Sequence, residues 1–223
     1  MPNLELDYME YANDAAAQAA YVTSASETVD QSQTTAGNNQ TLGDSGDIEY
    51  KICQSFKLSG NLTVSAVELK QNSHTGTPSG DWTVRIETDL PGEPSGTLAH
   101  ANASVAVSAP GDGNTVKCSF TPFALSGATT YWIVISVDAQ STDTNWYLGR
   151  TSGAYADGDL GEWDSASGTW YIYDGTRDLY FKIYIEASLQ SYSEATIKTQ
   201  GSYSLKGVAR ATDSLNKTLT RTI

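Results

Sequence analysis

The sequence predicts an all-β protein, a jelly-roll-like antiparallel β-sandwich with a short N-terminal helix and extra flanking strands. The first observation is a series of short apolar runs, separated by turn residues, from residue 49 onward. The second is that hydrophobic residues make up 39% and aromatic residues 10% of the 223 residues, which is enough to bury a core. The third is an abundance of Ser, Thr, Gly and Asn, which suit sheet surfaces and turns.

Residues 1–47 are predicted to form an N-terminal arm. Met9–Tyr21 contains the helix-forming run DAAAQAAY, and Asn13 or Asp14 can cap its first turn. Residues 23–46 are polar and aperiodic, which predicts a linker or a segment that follows the surface of the sandwich.

Residues 48–187 are predicted to form the sandwich. The run YWIVISV at 131–137 is apolar on both faces and indicates a central strand that is covered on each side. Proline occurs only in turns or just after strands, where a missing N–H is harmless. The predicted strands are Lys51–Leu58, Leu62–Lys70, Trp82–Thr88, Gly96–Val107, Thr115–Phe120, Thr130–Asp138, Asn145–Arg150, Thr169–Tyr173 and Asp178–Glu186.

Residues 188–223 are predicted to contain further strands near 194–198, 202–209 and 217–222. Three short strands cannot bury a core alone, so this region is expected to be a partial second β-domain or an assembly arm. Residues 1–50 carry only acidic charges, whereas residues 198–223 are mainly basic. The two ends of the chain could therefore attract one another, although single surface pairs contribute only ~0 to 1 kcal/mol.

The net charge of −13 makes nucleic acid an unlikely partner, because the chain repels phosphate backbones. No apolar run approaches the roughly 20 residues that span a bilayer, and no signal peptide is evident at the N-terminus. We therefore expect no membrane span, and a location on a virion or an extracellular surface, reached by another export route or by cell lysis.

Cys53 and Cys118 have no zinc or redox spacing. Cys118 alternates in phase with Val116 and Phe120, so it is expected to point into a core, whereas Cys53 is out of phase with Ile52. A disulfide and two separate thiols both remain open from the sequence.

Four segments resemble a jelly-roll module of bacterial extracellular and phage proteins, of the choice-of-anchor or carbohydrate-binding-like kind. They are QSFKLSGNLTVSAVELK, WTVRIETDLPGEPSGTLA, FTPFALSGATTYWIVIS and NWYLGR. The resemblance covers residues 54–184 and implies a fold rather than a ligand. The two ends, LDYMEYANDAAAQAAYVTSA and YSEATIKTQGSYSLKGVARATDSLNKTLTRTI, resemble the start of a concanavalin- or laminin-G-like domain of phage structural proteins. This second resemblance implies a sandwich inserted into, or spliced ahead of, a partial second jelly roll.

Enzymatic signals are weak in this sequence. His74 and His100 have no nucleophile or metal ligand at a recognisable spacing, and G-x-S-x-G and H-E-x-x-H are absent. Asp157, Asp159 and Glu162 fall in one loop, where D-G-D-x-x-E offers oxygen ligands that predict a calcium site. The alternatives are a solvated turn and, less favoured, a catalytic carboxylate pair.

Aromatic residues are concentrated in the last third of the sandwich and are interleaved with polar side chains. Sugar rings stack on flat aromatic faces while nearby polar groups bind the hydroxyls, so this region predicts a glycan site. The competing interpretation is that many of these rings fill the core; Tyr155 and Trp163, in a turn-rich loop, are expected to be the most exposed. The candidate glycan-binding residues are Trp146, Arg150, Tyr155, Trp163, Tyr171 and Tyr173.

The sequence thus favours a non-catalytic structural or adhesion protein of a phage-like particle or cell surface, which presents a β-sandwich decoration or a glycan-binding module. Its expected partners are copies of itself, other virion or surface subunits, and glycans. The alternative is a carbohydrate-binding module of a secreted polysaccharide-degrading system.

Overall fold

A computed structural model describes residues 27–44, 50–137, 144–153, 155–164, 166–186, 197–198 and 204–205. Within these residues the protein is all-β and every strand pairing is antiparallel. The residues from Glu27 to Glu186 form one compact unit. The helix predicted at Met9–Tyr21 and the strand predicted near 217–222 lie outside the described residues.

The described strands have the following bounds. In chain order they are β1 (Glu27–Gln33), β2 (Asn38–Asp44), β3 (Tyr50–Lys57), β4 (Leu62–Thr75), β5 (Asp81–Leu90), β6 (Glu93–Leu98), β7 (Ser104–Ser108), β8 (Thr115–Leu125), β9 (Thr130–Val137), β10 (Thr144–Thr151), β11 (Leu160–Asp164), β12 (Thr169–Ile172), β13 (Asp178–Leu179), β14 (Phe181–Glu186), β15 (Ile197–Lys198) and β16 (Ser204–Leu205). The short strands β15 and β16 pair with each other.

The compact unit contains two sheets of seven strands each. The first sheet includes the order β2-β10-β4-β8. In addition, β14 pairs with β4, β1 pairs with β14, and β13 pairs with β10. The second sheet includes the order β3-β9-β5-β7. In addition, β6 pairs with β5, β11 pairs with β3, and β12 pairs with β11. From β2 to β5, and again from β8 to β11, successive strands fall in different sheets.

The two sheets share one hydrophobic core. Leu42, Val67 and Leu148 of the first sheet and Ile52 and Ile133 of the second are among its fully buried members. Alternation of buried and more exposed residues along the strands, which is clearest in β5, turns one face of each sheet toward this core. The arrangement is consistent with a β-sandwich.

Strand β9 is buried on both faces and lies between β3 and β5, which confirms the predicted central strand. On its outer face Trp132 and Val134 form a second buried cluster with Cys53, and partly buried Trp170 and Ile172 of β12 pack against that cluster. The outer face of the second sheet is therefore partly apolar.

A buried hydrogen-bond network, here called the polar hub, joins the two sheets through the side chains of Gln33, Gln54 and Asp178. Gln54 Nε2 donates to Asp178 Oδ1 at 3.4 Å, while Gln54 Oε1 accepts from the Leu179 amide at 2.8 Å. Gln33 Nε2 donates to the Leu179 carbonyl at 2.9 Å, and Asp178 Oδ2 accepts from the Tyr155 amide at 2.9 Å. The hub therefore ties β1 and β13 to β3 and to the loop that contains Tyr155.

The sequence predicts a linker, or a segment that follows the surface, at 23–46. The described part of this segment differs from a linker, because residues 27–33 and 38–44 are strands β1 and β2 of the first sheet. The segment has few apolar residues, and its strands are held mainly by backbone ladders. Its buried amides have side-chain partners: Gln33 binds the hub, and Gln40 Nε2 donates to Glu162 Oε2 at 2.7 Å. Polar burial of this kind leaves no hydrophobic periodicity in the sequence.

The other strand predictions are close to the observed bounds, with four differences. Strands β4 and β8 continue beyond their predicted ends, to Thr75 and Leu125. The run at 96–107 is divided into two strands, β6 and β7, because the chain turns at His100. Between the two strands, the Ala99 amide donates to the Ile86 carbonyl and the Ile86 amide donates to the Ala103 carbonyl. Strand β11 lies in a region that the sequence assigns to a loop. The run at 178–186 is divided into β13 and β14.

Both cysteines are buried as free thiols. Cys118 belongs to the core between the sheets and Cys53 to the outer cluster, which confirms the opposite phases read from the sequence and leaves two separate thiols. Burial raises the pKa of Cys118 to about 12 and the pKa of Cys53 well above its usual range. Neither thiol is therefore a nucleophile at neutral pH.

The outer face of the first sheet carries a charged cluster around Glu68. Its carboxylate accepts hydrogen bonds from Lys182 Nζ at 2.7 Å and from the hydroxyls of Tyr180 and Tyr184, both at 2.9 Å. Burial opposes the ionisation of Glu68, but these donors outweigh it, so the pKa of Glu68 is lowered.

A Glu68→Gln variant tests this cluster. A carboxyl group whose pKa is lower in the folded state stabilises the fold above its unfolded pKa of about 4.3, and this contribution disappears as the pH falls through the folded pKa. The variant is therefore expected to be less stable than the wild type at pH 7 and to approach it below roughly pH 4. Urea denaturation across this pH range measures the difference; a constant difference would contradict the assignment.

Candidate functional site

The structure separates the predicted glycan-binding residues into four groups. Trp146 lies in the core between the sheets, is only 3% exposed, and packs edge-on against Trp82 with ring centroids 6.4 Å apart. Trp146 therefore cannot offer a ring face to a sugar, as the competing core interpretation expects. The remaining residues lie on the outer face, beside a cleft, or at one edge of the sandwich.

Trp163 lies on the outer face of the second sheet, where it packs edge-on against Trp170 with centroids 5.4 Å apart. Its cross-strand partners are Trp170 and Lys51, and it is half-buried rather than fully exposed. Trp163 thus faces the side of the sheet opposite to the core, away from the direction of Glu162 and Tyr171.

Tyr155 packs edge-on against Phe181 with centroids 5.1 Å apart, and its hydroxyl donates to Gln31 Oε1 at 3.0 Å. Burial raises its pKa to about 12, so the hydroxyl stays protonated at neutral pH. The predicted exposure of Tyr155 is only partial, because its ring packs against the edge of the core.

The other candidates come together in what we call the edge platform, formed by Arg150, Glu162, Tyr171, Tyr173 and Arg177. Tyr171 is 61% exposed, and its ring meets that of Tyr173 edge-on, with centroids 4.9 Å apart and planes at 76°. The guanidinium carbon of Arg177 lies 3.8 Å from the centroid of the Tyr173 ring, in cation–π contact. The platform therefore combines an exposed ring with a cation held on a second ring.

Strand pairing determines which face of the second sheet carries the platform side chains of β11 and β12. Glu162 of β11 pairs with Tyr171 of β12 and with the core residue Ile52 of β3, so all three side chains leave the same face of the second sheet. Gln40 of the first sheet donates to Glu162 at this point. The platform thus lies at the edge where side chains of the two sheets meet.

The turn after β12 brings Arg177 to Tyr173. The Thr176 amide donates to the Tyr173 carbonyl at 3.0 Å, and Asp174 and Gly175 both have positive φ, at 36° and 65°. These are left-handed conformations, which glycine adopts freely and aspartate tolerates better than most residues. The Leu160 amide then donates to the Arg177 carbonyl at 3.2 Å and holds the end of the turn on β11.

Charges within the platform influence one another. The pKa of Tyr173 is raised to about 12, first by burial and then by its hydroxyl donating to Glu162 Oε1 at 2.6 Å. Burial, followed by the charge of Arg177, lowers the pKa of Arg150. The platform therefore combines two guanidinium groups, one carboxyl group and two phenol rings.

The three residues predicted to bind calcium have separate roles. Glu162 belongs to the edge platform, whereas Asp157 and Asp159 line a cleft. Across the described ranges, no group of three or more His, Cys, Asp and Glu side chains is arranged to hold a metal ion. Asp159 instead fixes the loop, since its backbone amide donates to Ser55 Oγ at 2.7 Å and its carboxylate accepts from the Gly175 amide.

The cleft is open and has a volume of about 440 Å³. Its walls include the ends of β3 and β9, the turn after β5 and the loop around residue 157. Trp132 lies at the wall with its Nε1 donating to Asp89 Oδ1 at 2.7 Å, so this indole N–H is already used. The polar lining includes Ser55, Lys57, Asp89, Asp157 and Asp159.

Sequence reasoning missed Arg177 and Gln40 as parts of the platform. Arg177 follows an Asp-Gly turn after a strand rich in aromatic residues, and this signal could have placed it beside Tyr173. Gln40 had no comparable signal, because its contact with Glu162 joins positions 122 residues apart.

Comparisons of this chain with protein-family models, with curated proteins and with solved structures found no match. Among the described residues, no helix is long and apolar enough to span a bilayer.

A Gly158→Ala variant tests the packing of the cleft loop on β3. A Cβ at Gly158 would lie 2.1 Å from the backbone oxygen of Ser55, so the loop must move to admit it. Forced overpacking of this kind costs ~1 to 3 kcal/mol. The matched control is Gly37→Ala, where a Cβ meets nothing within 4 Å. Urea denaturation should show a loss for Gly158→Ala and little change for Gly37→Ala; equal stability of the two variants would contradict the tight packing.

Proposed function

We propose that the protein is a non-catalytic structural or adhesion protein of a phage-like particle or cell surface, and that its sandwich binds glycans at the edge platform. The observation that carries the proposal is the exposed Tyr171 ring set against Tyr173 and Arg177. A phenol face can stack on the C–H face of a sugar ring. The neighbouring guanidinium groups and phenol hydroxyls supply donors for hydroxyl groups.

The fold proposed for the sandwich is a jelly roll. The support is the pairing order, with β2-β10-β4-β8 in one sheet and β3-β9-β5-β7 in the other, and the repeated passage of the chain between sheets. Eight strands in two Greek keys have this pattern. Strands β1, β14, β11 and β12 are additions to that scaffold, and β11 and β12 carry two of the five platform residues, Glu162 and Tyr171.

The proposed mode of action is passive and multivalent. A single shallow platform with one exposed ring binds a sugar weakly, but many copies on one particle raise avidity by ~10²- to 10⁴-fold without new contacts. In this scheme the regions before residue 27 and after residue 186 serve as anchors to copies of the same chain or to other virion or surface subunits.

A glycan array tests the binding function. The full chain, displayed multivalently on a bead or particle, is expected to bind a subset of glycans, and Tyr171→Ala is expected to abolish the signal by removing the stacking ring. Trp163→Ala serves as the control, because Trp163 faces the opposite side of the sheet. Loss of binding in Trp163→Ala with retention in Tyr171→Ala would contradict the platform, and no binding by the wild type would contradict the function.

A carbohydrate-binding module of a secreted polysaccharide-degrading system is the second candidate, since the same platform would serve it. Negative-stain imaging and light scattering of the full chain separate the two. Ordered self-assembly supports the structural protein; a monomer that binds glycans supports the module.

A further inference from the structure

Arg177 holds a guanidinium group that is fixed in place and not used by the fold. Its carbon lies 3.8 Å over the ring of Tyr173, and its backbone carbonyl is anchored to Leu160. In the described part of the chain its side chain makes no hydrogen bond and no ion pair. Arg85, by contrast, pairs with Glu87 at 3.2 Å and donates to the Gly96 carbonyl.

Among the described residues, the acid on the platform forms no ion pair with Arg177. The two carboxylate oxygens of Glu162 accept from the Tyr173 hydroxyl at 2.6 Å and from Gln40 Nε2 at 2.7 Å. Arg150 is the second cation, and its Nε donates to the Asn39 carbonyl at 2.8 Å. After burial, the charge of the nearby Arg177 is the next cause of the lowered pKa of Arg150. Two guanidinium groups are thus held near each other, and the N–H donors of Arg177 have no hydrogen-bond partner among the described residues. This arrangement favours an anion between or beside the two groups.

We propose that the glycan bound at the edge platform carries a carboxylate, as a terminal uronic or sialic acid, and that Arg177 binds this carboxylate through two parallel N–H donors. This inference rests on the proposed function and names the class of ligand. Guanidinium is planar and matches a carboxylate in a fork-like geometry, while stacking on Tyr173 keeps it oriented. The sugar ring that bears the carboxylate then lies over Tyr171.

The overall charge of the protein limits the number of acidic groups in the ligand. With −13 on the chain, a densely charged polyuronate is repelled at long range. A single terminal carboxylate interacts mainly with the platform, where the two guanidinium groups outnumber the one carboxylate of Glu162. The platform is therefore suited to an isolated acidic sugar at a chain end.

The test uses pairs of glycans that differ only in the acid group. Glycans ending in glucuronic acid are printed beside their glucose-terminated and methyl-ester counterparts, and sialylated glycans beside desialylated ones, with polygalacturonate and sulphated galactosides as further arms. The full chain in multivalent form is expected to prefer a carboxylated member over its neutral partner by about tenfold. The glucuronic and sialic arms decide which acidic sugar is the source of the carboxylate.

Variants assign the preference to Arg177. Arg177→Gln is expected to remove the tenfold preference, leaving weak binding of acidic and neutral glycans alike, and Arg177→Lys is expected to restore only part of it. Lys57→Gln is the matched control, because Lys57 is an exposed cation that lines the cleft rather than the platform. Thermal unfolding of each variant shows whether the fold is intact.

The outcomes separate this inference from the proposed function. Equal binding of acidic and neutral glycans by the wild type overturns the carboxylate and leaves glycan binding in place, whereas no binding on any arm overturns the function itself. The inference is also overturned if sulphated glycans or polygalacturonate bind more strongly than single carboxylated ends, if Arg177→Gln keeps the preference, or if Lys57→Gln loses it.

Discussion

The polar hub is the interaction on which the arrangement of this protein most depends. Gln54 lies on a central strand of the second sheet, and its amide holds the backbone and side chain of β13, while Gln33 holds β13 from the first sheet. Removing the partner of such a buried polar group destabilises the fold by ~1 to 3 kcal/mol. Apolar packing brings the sheets together, but it is not directional. The hub fixes the position of the turn before β13 relative to the two sheets.

Fixing that turn also fixes the site. Asp178 is adjacent to Arg177, so the hydrogen bonds that hold Asp178 also limit the movement of the guanidinium group on Tyr173. The same hub reaches the Tyr155 amide, which borders the cleft. A platform held in this way loses little conformational entropy on binding, which matters for a shallow site with few contacts. The outer face of the first sheet differs, because its charges around Glu68 are paired among themselves.

The sequence predicts most of the strands, because their apolar alternation is strong, as in β5 and β9. It fails for β1 and β2, whose buried residues include Gln33 and Gln40 and which are held by ladders and distant amides. The aromatic residues predict a region for a glycan site. Within that region, however, the sequence does not distinguish Trp146, which is 3% exposed, from Tyr171, which is 61% exposed. Only the pairing of strands decides which ring faces solvent, and pairing depends on long-range register.

Hydrogen exchange measured residue by residue on the native chain tests most directly whether the hub holds the platform. The Leu179 and Tyr155 amides donate to Gln54 and Asp178, although they lie in or beside short, turn-rich segments. Both amides are expected to exchange nearly as slowly as the amides of β9, with a free energy of opening close to that of global unfolding. If both exchange at the rate of an exposed turn, such as the one at residues 166–168, the turn opens independently and the hub does not hold the platform.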